Sequence, residues 1–400
     1  MRRRWLVPAL LGGTALVAVV TAAAVLFWPR ATTPDLADAT ASAAPEVEGI
    51  AWAFFSQLPP DGNQGVFVLQ AGMLGDVAPR IDMEVPWSVD TTIDLARSPA
   101  VARPAGGSVA FVADDGETST VARVPIRPDA EPEVLATLDE AVWSIAAAPD
   151  GSAVYLALVE RGQPETDLGV FRLALDGSGR MTPVLAPVGG EALGPVRLVA
   201  VAPFTVRIDI SRDGRHLYRD ACRGAAGCQQ VIVALESDEV HDLGMGAGVG
   251  MITVADLGAG GLIVVDRCGN AGCAAQLVDI ESGTSFDLRS TALDSTVRSV
   301  DGRPVLVGIE SGGMLTTLVA TDPSTEERQT LLEAPPGDWM ALADRTYPMA
   351  VPDGWVVVIQ GGLDGDEMTH RYLLVPLDGG DAIEVPPPAI RPIGPPGAKG

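Results

Sequence analysis

A Gly-centred turn, an apolar strand of about six residues, a polar hairpin and a second apolar strand recur along the chain, and this repeat limits the possible folds more than any other feature. The clearest copy runs from Pro149-Asp150-Gly151-Ser152 through AVYLALVE, the loop RGQPETDLG and VFRLALDGSG. Related copies start at Gly107, Asp213-Gly214, Gly261, Asp301-Gly302 and Asp353-Gly354, and a first copy starts at Gly49 with IAWAFFSQ. The starts are about 51 residues apart on average, and a period near 40–50 with about four short strands per unit predicts a β-propeller. The 45 Gly and 32 Pro agree with many turns between short strands. Unbroken apolar runs such as WVVVIQ suit blade strands covered on both faces. The Asp-Gly turns are explained by backbone geometry, because Gly reaches positive φ cheaply and Asp bonds its own backbone.

The cysteines support the same repeat. Cys222 and Cys228 lie in YRDACRGAAGCQQVIVALES, and Cys268 and Cys273 lie at the same register of the next unit, in VVDRCGNAGCAAQLVDIES. Each pair flanks the tip between the second and third strands, so an oxidising compartment would give two intra-hairpin disulfides. A four-thiolate zinc site would have to bridge two units and is the weaker alternative.

Residues 1–4 are a basic tip containing Arg2, Arg3 and Arg4, and residues 5–28 are uncharged. As a helix the uncharged stretch spans roughly 36 Å, enough to cross a bilayer core of about 30 Å. The positive flank places the N-terminus inside and everything after Pro29 outside. A cleaved signal peptide ending near Ala22-Ala23-Ala24 is the alternative, although Val25-Leu26-Phe27-Trp28 continues the apolar run. Either way the body is extracytoplasmic. Residues 29–48 read as a stalk, 49–386 as the propeller and 387–400 as a Pro-rich tail. The expected architecture is therefore all-β, with about seven four-stranded blades preceded by one N-terminal transmembrane helix.

The pattern Ala148-Pro149-Asp150-Gly151-Ser152, followed by an apolar strand and Val170-Phe171-Arg172-Leu173, resembles the repeat of TolB-type, WD-like bacterial propellers. The units at Ser211-Arg212-Asp213-Gly214 and Val351-Pro352-Asp353-Gly354 keep part of it. The resemblance implies a propeller fold. It assigns no activity, since such propellers host binding, scaffolding and catalysis alike.

Charge narrows the function classes. Net charge is −25, and beyond residue 34 the chain has 23 cations against 52 acids, a net of −29. A body this acidic repels phosphate backbones and anionic headgroups, which argues against nucleic acid as a partner. His216, His241 and His370 fall in different units, with His216 expected in the core and the other two at the surface. The sequence contains no G-x-S-x-G, H-E-x-x-H or Walker loop, so no catalytic, cofactor or metal residue is assigned. The glycine-rich run Gly244–Gly250 reads as an inter-blade connection. Candidate binding-face loops carry Asp114, Asp115 and Glu117; Glu160, Glu165 and Asp167; Arg219, Arg223 and Arg267; and Asp364, Asp366 and Glu367. The expected role is a protein- or ligand-binding scaffold at the cell envelope with a protein partner. The alternative is an exported hydrolase of glycans, lactones or esters, marked by acids and a histidine converging on the channel.

Overall fold

A computed structural model describes residues 50–57, 64–88, 100–188, 204–223, 228–246, 251–269, 272–312, 315–346, 348–364 and 367–389. The expected transmembrane segment 5–28 and stalk 29–48 lie outside the described residues, as do Asp366 and residues 390–400 of the tail.

Each repeat forms one blade, and from blade 2 onward its Gly turn leads from the inner edge into the next strand. Blade 1 contains β1 (Ala51–Gln57), β2 (Gln64–Met73) and β3 (Ile81–Ser88). Blade 2 contains β4 (Ser108–Asp114), β5 (Ser119–Pro125) and β6 (Glu133–Leu138), with an inner edge that among the described residues consists of the bridges Val101↔Phe111 and Ala105↔Ser108. Blade 3 is β7 (Ala141–Ala147), β8 (Ala153–Glu160), β9 (Gln163–Ala174) and β10 (Met181–Leu185), and blade 4 is β11 (Phe204–Ile210), β12 (His216–Arg223), β13 (Cys228–Ala234) and β14 (Glu239–Gly246). Blade 5 is β15 (Met251–Leu257), β16 (Leu262–Gly269), β17 (Gly272–Asp279) and β18 (Ser285–Asp287). Blade 6 is β19 (Ser295–Val300), β20 (Arg303–Gly312), β21 (Leu315–Thr321) and β22 (Arg328–Glu333). The last blade starts with β23 (Trp339–Leu342), passes through a helical turn, α1 (Ala343–Thr346), and a two-residue strand, β24 (Met349–Ala350), and ends with β25 (Trp355–Asp364), β26 (Glu367–Pro376) and β27 (Ile383–Val385).

Within a blade the strands pair antiparallel in chain order. The exception closes the ring. β23 pairs with β25, but after α1 the chain crosses over and β24 pairs with β1, Ala51 opposite Ala350 and Trp52 opposite Met349. The inner edge of blade 1 is thus supplied from blade 7. A two-residue strand carries no apolar period, which is why no repeat signal announces it.

Burial follows position in the blade. β8 buries seven of its eight residues, since neighbouring blades cover both its faces, whereas the outer strands β6 and β22 are largely exposed. Register shifts recur between the third and fourth strands of blades 2, 4 and 6, where a bulge adds twist to the outer strand. The turns pack as tightly as the strands. A Cβ on Gly106 would lie 3.5 Å from the Cα of Gly151 in the next blade's turn, and both glycines have positive φ (55° and 71°).

Polar ties reinforce the apolar joints. Blades 1 and 2 share one parallel bridge, Trp87↔Asp114, beside the edge-to-face rings of Phe55 and Phe111. The Val142 N–H donates to Ser119 Oγ (3.2 Å) across blades 2 and 3, and the Ile208 N–H to Ser144 Oγ (3.1 Å) across blades 3 and 4. The Gly260 N–H donates to Asp213 Oδ2 (2.8 Å) between blades 4 and 5, and the Gly354 N–H to Ser299 O (2.8 Å) between blades 7 and 6.

Candidate functional site: a charged central channel

The innermost strands surround a cavity of about 720 Å³. Its walls come from blades 2, 3, 4, 5 and 7, with Leu293 contributed by the connection into blade 6. The lining combines backbone and small apolar side chains, such as Ala146 and Ala147, with seven charged groups: Arg103, Arg207, Asp209, Arg212, Asp266, Asp344 and Asp353.

At one side of the channel four blades contribute a buried ion network. Arg212, in the Asp-Gly turn of blade 4, donates from Nη2 to Asp344 Oδ2 (2.7 Å), Asp256 Oδ1 (3.3 Å) and Thr296 Oγ1 (3.0 Å). Asp256, on β15, accepts from the Val297 N–H (2.8 Å) and from Thr296 Oγ1 (2.9 Å). Arg298, on β19, donates to Asp344 Oδ2 at 2.6 Å. Asp344 sits in α1, where the inner strand of blade 7 breaks to reach blade 1.

Two guanidiniums and two carboxylates balance in charge. Burial alone would raise the Asp344 carboxyl, but Arg298, Arg212 and Arg103 outweigh it and hold the group well below the usual carboxylate range. Burial and the neighbouring Arg212 pull Arg298 down to about 10, against Asp344 and Asp256. Arg212 moves the other way: burial lowers it, and Asp256 and Asp344 together raise it above its ordinary value. Asp344 Oδ1, Arg212 Nε and Arg298 Nε are buried with no partner among the described residues.

Near this network Arg103 and Arg207 each approach Asp209 Oδ2 at 3.9 Å. Asp266 also faces the cavity, and burial pushes its carboxyl up. None of the three histidines lines the cavity, although four aspartates do. His216 is buried as the sequence suggests, yet its Nδ1 has no partner among the described residues, and burial lowers its pKa. His241 is half-buried on β14, and His370 is exposed on β26, edge-on to Tyr372.

The loop residues singled out from sequence divide into two groups. Asp114 is buried: it accepts from both Nη atoms of Arg161 in blade 3 (3.1 Å each), from Ser119 Oγ (2.8 Å) and from the Gly116 N–H (2.9 Å). Asp167 is buried too, accepting from the Val188 N–H (2.7 Å) and the Gly169 N–H (2.9 Å), with Arg219 of blade 4 at 3.5 Å. Arg219 also donates to Ala186 O (2.8 Å). These three side chains join blades rather than face solvent.

Asp115 and Glu117 are exposed, Asp115 held low by the Thr118 and Glu117 N–H groups that it accepts. Glu160 is half-buried and accepts from Gln163 Nε2 (3.0 Å), and Arg267 is exposed. The side chains of Glu165, Arg223, Asp364, Asp366 and Glu367 lie outside the described residues. None of the seven whose side chains are described lines the channel. The channel and network charges fall outside the residues singled out from sequence, although charges inside apolar inner strands, Arg207 and Asp209 in FTVRIDI and Arg298 in STVRSV, are the signal that exposes them.

In the cysteine hairpins, Cys222 stands directly opposite Cys228 and Cys268 directly opposite Cys273 in the strand register.

No family model matches the chain, and no curated protein matches it. Among solved structures it is similar to TolB from Acinetobacter baumannii, at 14% identity over 82% of this chain and 77% of that one, with a TM-score of 0.35. It is similar to an oligogalacturonate lyase in complex with manganese (12% identity, 85% of both chains, TM-score 0.43). It is also similar to a prolyl endopeptidase (12% identity, 83% of this chain, TM-score 0.48), of which it spans about half the length (49%). The sheet order and the joints between blades define a β-propeller.

Proposed function

We propose that this chain is a single-pass, membrane-anchored extracytoplasmic propeller that works as a binding and scaffolding module at the cell envelope, with the central channel as its recognition site. The uncharged segment 5–28 behind three arginines supports the anchor and the orientation. The observation that carries the binding role is the 720 Å³ channel, whose charged side chains converge from separate blades. The opposed cysteines close two disulfides in this reading, as suits an oxidising compartment. A protein partner in the envelope would dock over the ring, and the net charge of −25 disfavours nucleic acid.

The test is native mass spectrometry of the full chain, gently solubilised from membranes, with carboxylate-directed crosslinking because Lys399 is the only lysine. Leu293→Trp narrows the channel at an exposed position and is expected to reduce what the protein retains. Equal retention by this variant and the wild type would overturn the channel as the site.

A further inference from the structure

Seven large apolar side chains are exposed among the described residues, and three of them share one rim of the ring. The other four are valines spread over blades 1, 2 and 4. Leu293 (69% exposed), Leu315 (52%) and Trp339 (41%) stand at or just before the starts of β19, β21 and β23. Hydrogen bonds and register tie all three to the same end of blade 6. The Asp294 carbonyl accepts the Ile309 N–H (2.9 Å), Leu315 is opposite Gly312, and Thr316 Oγ1 donates to the Asp338 carbonyl (3.1 Å). The Trp339 indole lies where a side chain on Gly361 would stand, so the ring is held in place before anything docks on it. Exposed apolar groups gathered in this way, with a polar border, mark an interaction surface.

The border is acidic. The segments 287–294, 310–312, 315–317 and 333–339 carry Asp287, Asp294, Glu310, Glu333 and Asp338 against one cation, Arg289. Two arginines reach in from neighbouring strands: Arg328 pairs with Glu310, and Arg371 donates to Gln360, which donates in turn to Asp338, while Arg371 itself stands 3.5 Å from Glu384. With these included, six acids still stand against three arginines. Apolar anchors inside such a border select a segment whose own apolar side chains are flanked by Lys or Arg. A second copy of this chain does not fit, since its body carries a net −29, and an anionic lipid surface meets the same repulsion. We propose that the blade 6 rim, centred on Leu315 and Trp339, docks a basic segment of a protein partner whose apolar side chains cover those two residues. The assignment rests on the reading of the propeller as a scaffold with a protein partner and is independent of the channel.

The test replaces Leu315, Trp339, Val77 or Val134 in turn by the photo-crosslinking residue p-benzoylphenylalanine, in the full chain in membranes of its own cells. Positions 315 and 339 are expected to give adducts with one and the same protein, mapped by mass spectrometry to a segment with Lys or Arg beside apolar residues. Positions 77 and 134, both exposed but away from the rim, should give none. A synthetic peptide of the mapped segment should bind the wild-type chain and lose about tenfold in affinity with Leu315→Ser and with Trp339→Ser. Glu333→Gln should weaken it about threefold, and added salt should weaken it further. Leu315→Ser alters only an exposed side chain, so its result stands even if Trp339→Ser loosens the contact with β25. Adducts no stronger at 315 and 339 than at 77 and 134, adducts with unrelated proteins, with lipid or with another copy of this chain, a mapped segment without cations, or peptide binding that ignores Leu315→Ser overturns the assignment. If carboxylate-directed crosslinking still finds a recurrent protein elsewhere on the ring, the rim assignment falls and the scaffold reading stands. If neither experiment finds a protein, both fall.

Discussion

Replacing Asp344 with Asn removes the one carboxylate that two buried arginines share. Its Oδ2 accepts from Arg212 at 2.7 Å and from Arg298 at 2.6 Å, and its side chain is wholly buried. In Asp344→Asn, Arg212 keeps Asp256 at 3.3 Å, while Arg298 loses the carboxylate it pairs with and is left with the more distant Asp256. Breaking a buried pair from one side costs about 3–5 kcal/mol, because the surviving charge stays desolvated. The Asn carbonyl retains an acceptor worth about 1 kcal/mol, so the expected loss is about 3 kcal/mol.

The second half of the argument is that the cost belongs to the stranded charge. Adding Arg298→Met should therefore recover about 2 kcal/mol, making the double variant more stable than Asp344→Asn alone. Urea unfolding of the full chain in detergent, followed by tryptophan fluorescence, measures all four corners of this cycle. A loss under about 0.5 kcal/mol for Asp344→Asn, or two substitutions whose costs simply add, would refute the reasoning. The pH dependence has a defined sign. Asp344 is depressed in the folded protein, so its contribution is fully present above the ordinary carboxylate pKa and is lost as pH falls below about 4 toward the folded value; Asp344→Asn should flatten that acid limb.

His216 is depressed by burial, so the unfolded chain takes up its proton first; stability should fall as pH drops below about 6.5, and His216→Gln should remove that slope in pH-dependent thermal melts. Arg161→Met strands the buried Asp114 carboxylate between blades 2 and 3 and should cost about 2 kcal/mol in the same urea assay. If the cysteine hairpins are disulfide-bonded, each closes a loop of about six or seven residues, worth about 2 kcal/mol in the chain-entropy account. Reductant should then lower the melting temperature of the wild type and leave a Cys222→Ser/Cys228→Ser/Cys268→Ser/Cys273→Ser variant unmoved.

The blades were legible because the strongest local signals coincide with them. Asp150-Gly151 and Asp213-Gly214 mark the turn into the second strand, and the second and third strands are long and buried enough to read as apolar runs. The inner strands carry the channel, and they read poorly. Among the described residues the inner edge of blade 2 amounts to the bridges Val101↔Phe111 and Ala105↔Ser108, and β24 has two residues. The acids show a second limit. Asp114 and Asp167 sit in loop sequence that looks solvated, yet each is buried against an arginine from the following blade, Arg161 or Arg219. Partners 47 and 52 positions apart meet only because the blade period brings them together, and that pairing is a property of the closed ring.

The way the ring closes also sets an order of events in folding. β1 exposes a bare inner edge until Met349 and Ala350 arrive, after five other blades have had the opportunity to form. Pairings this distant in sequence are slow to form, so the last step of folding should be the docking of one short segment onto a long-waiting edge. A chain interrupted just upstream of Met349 would keep five intact blades beside the open β1 edge of blade 1, free to pair with the same edge of another copy.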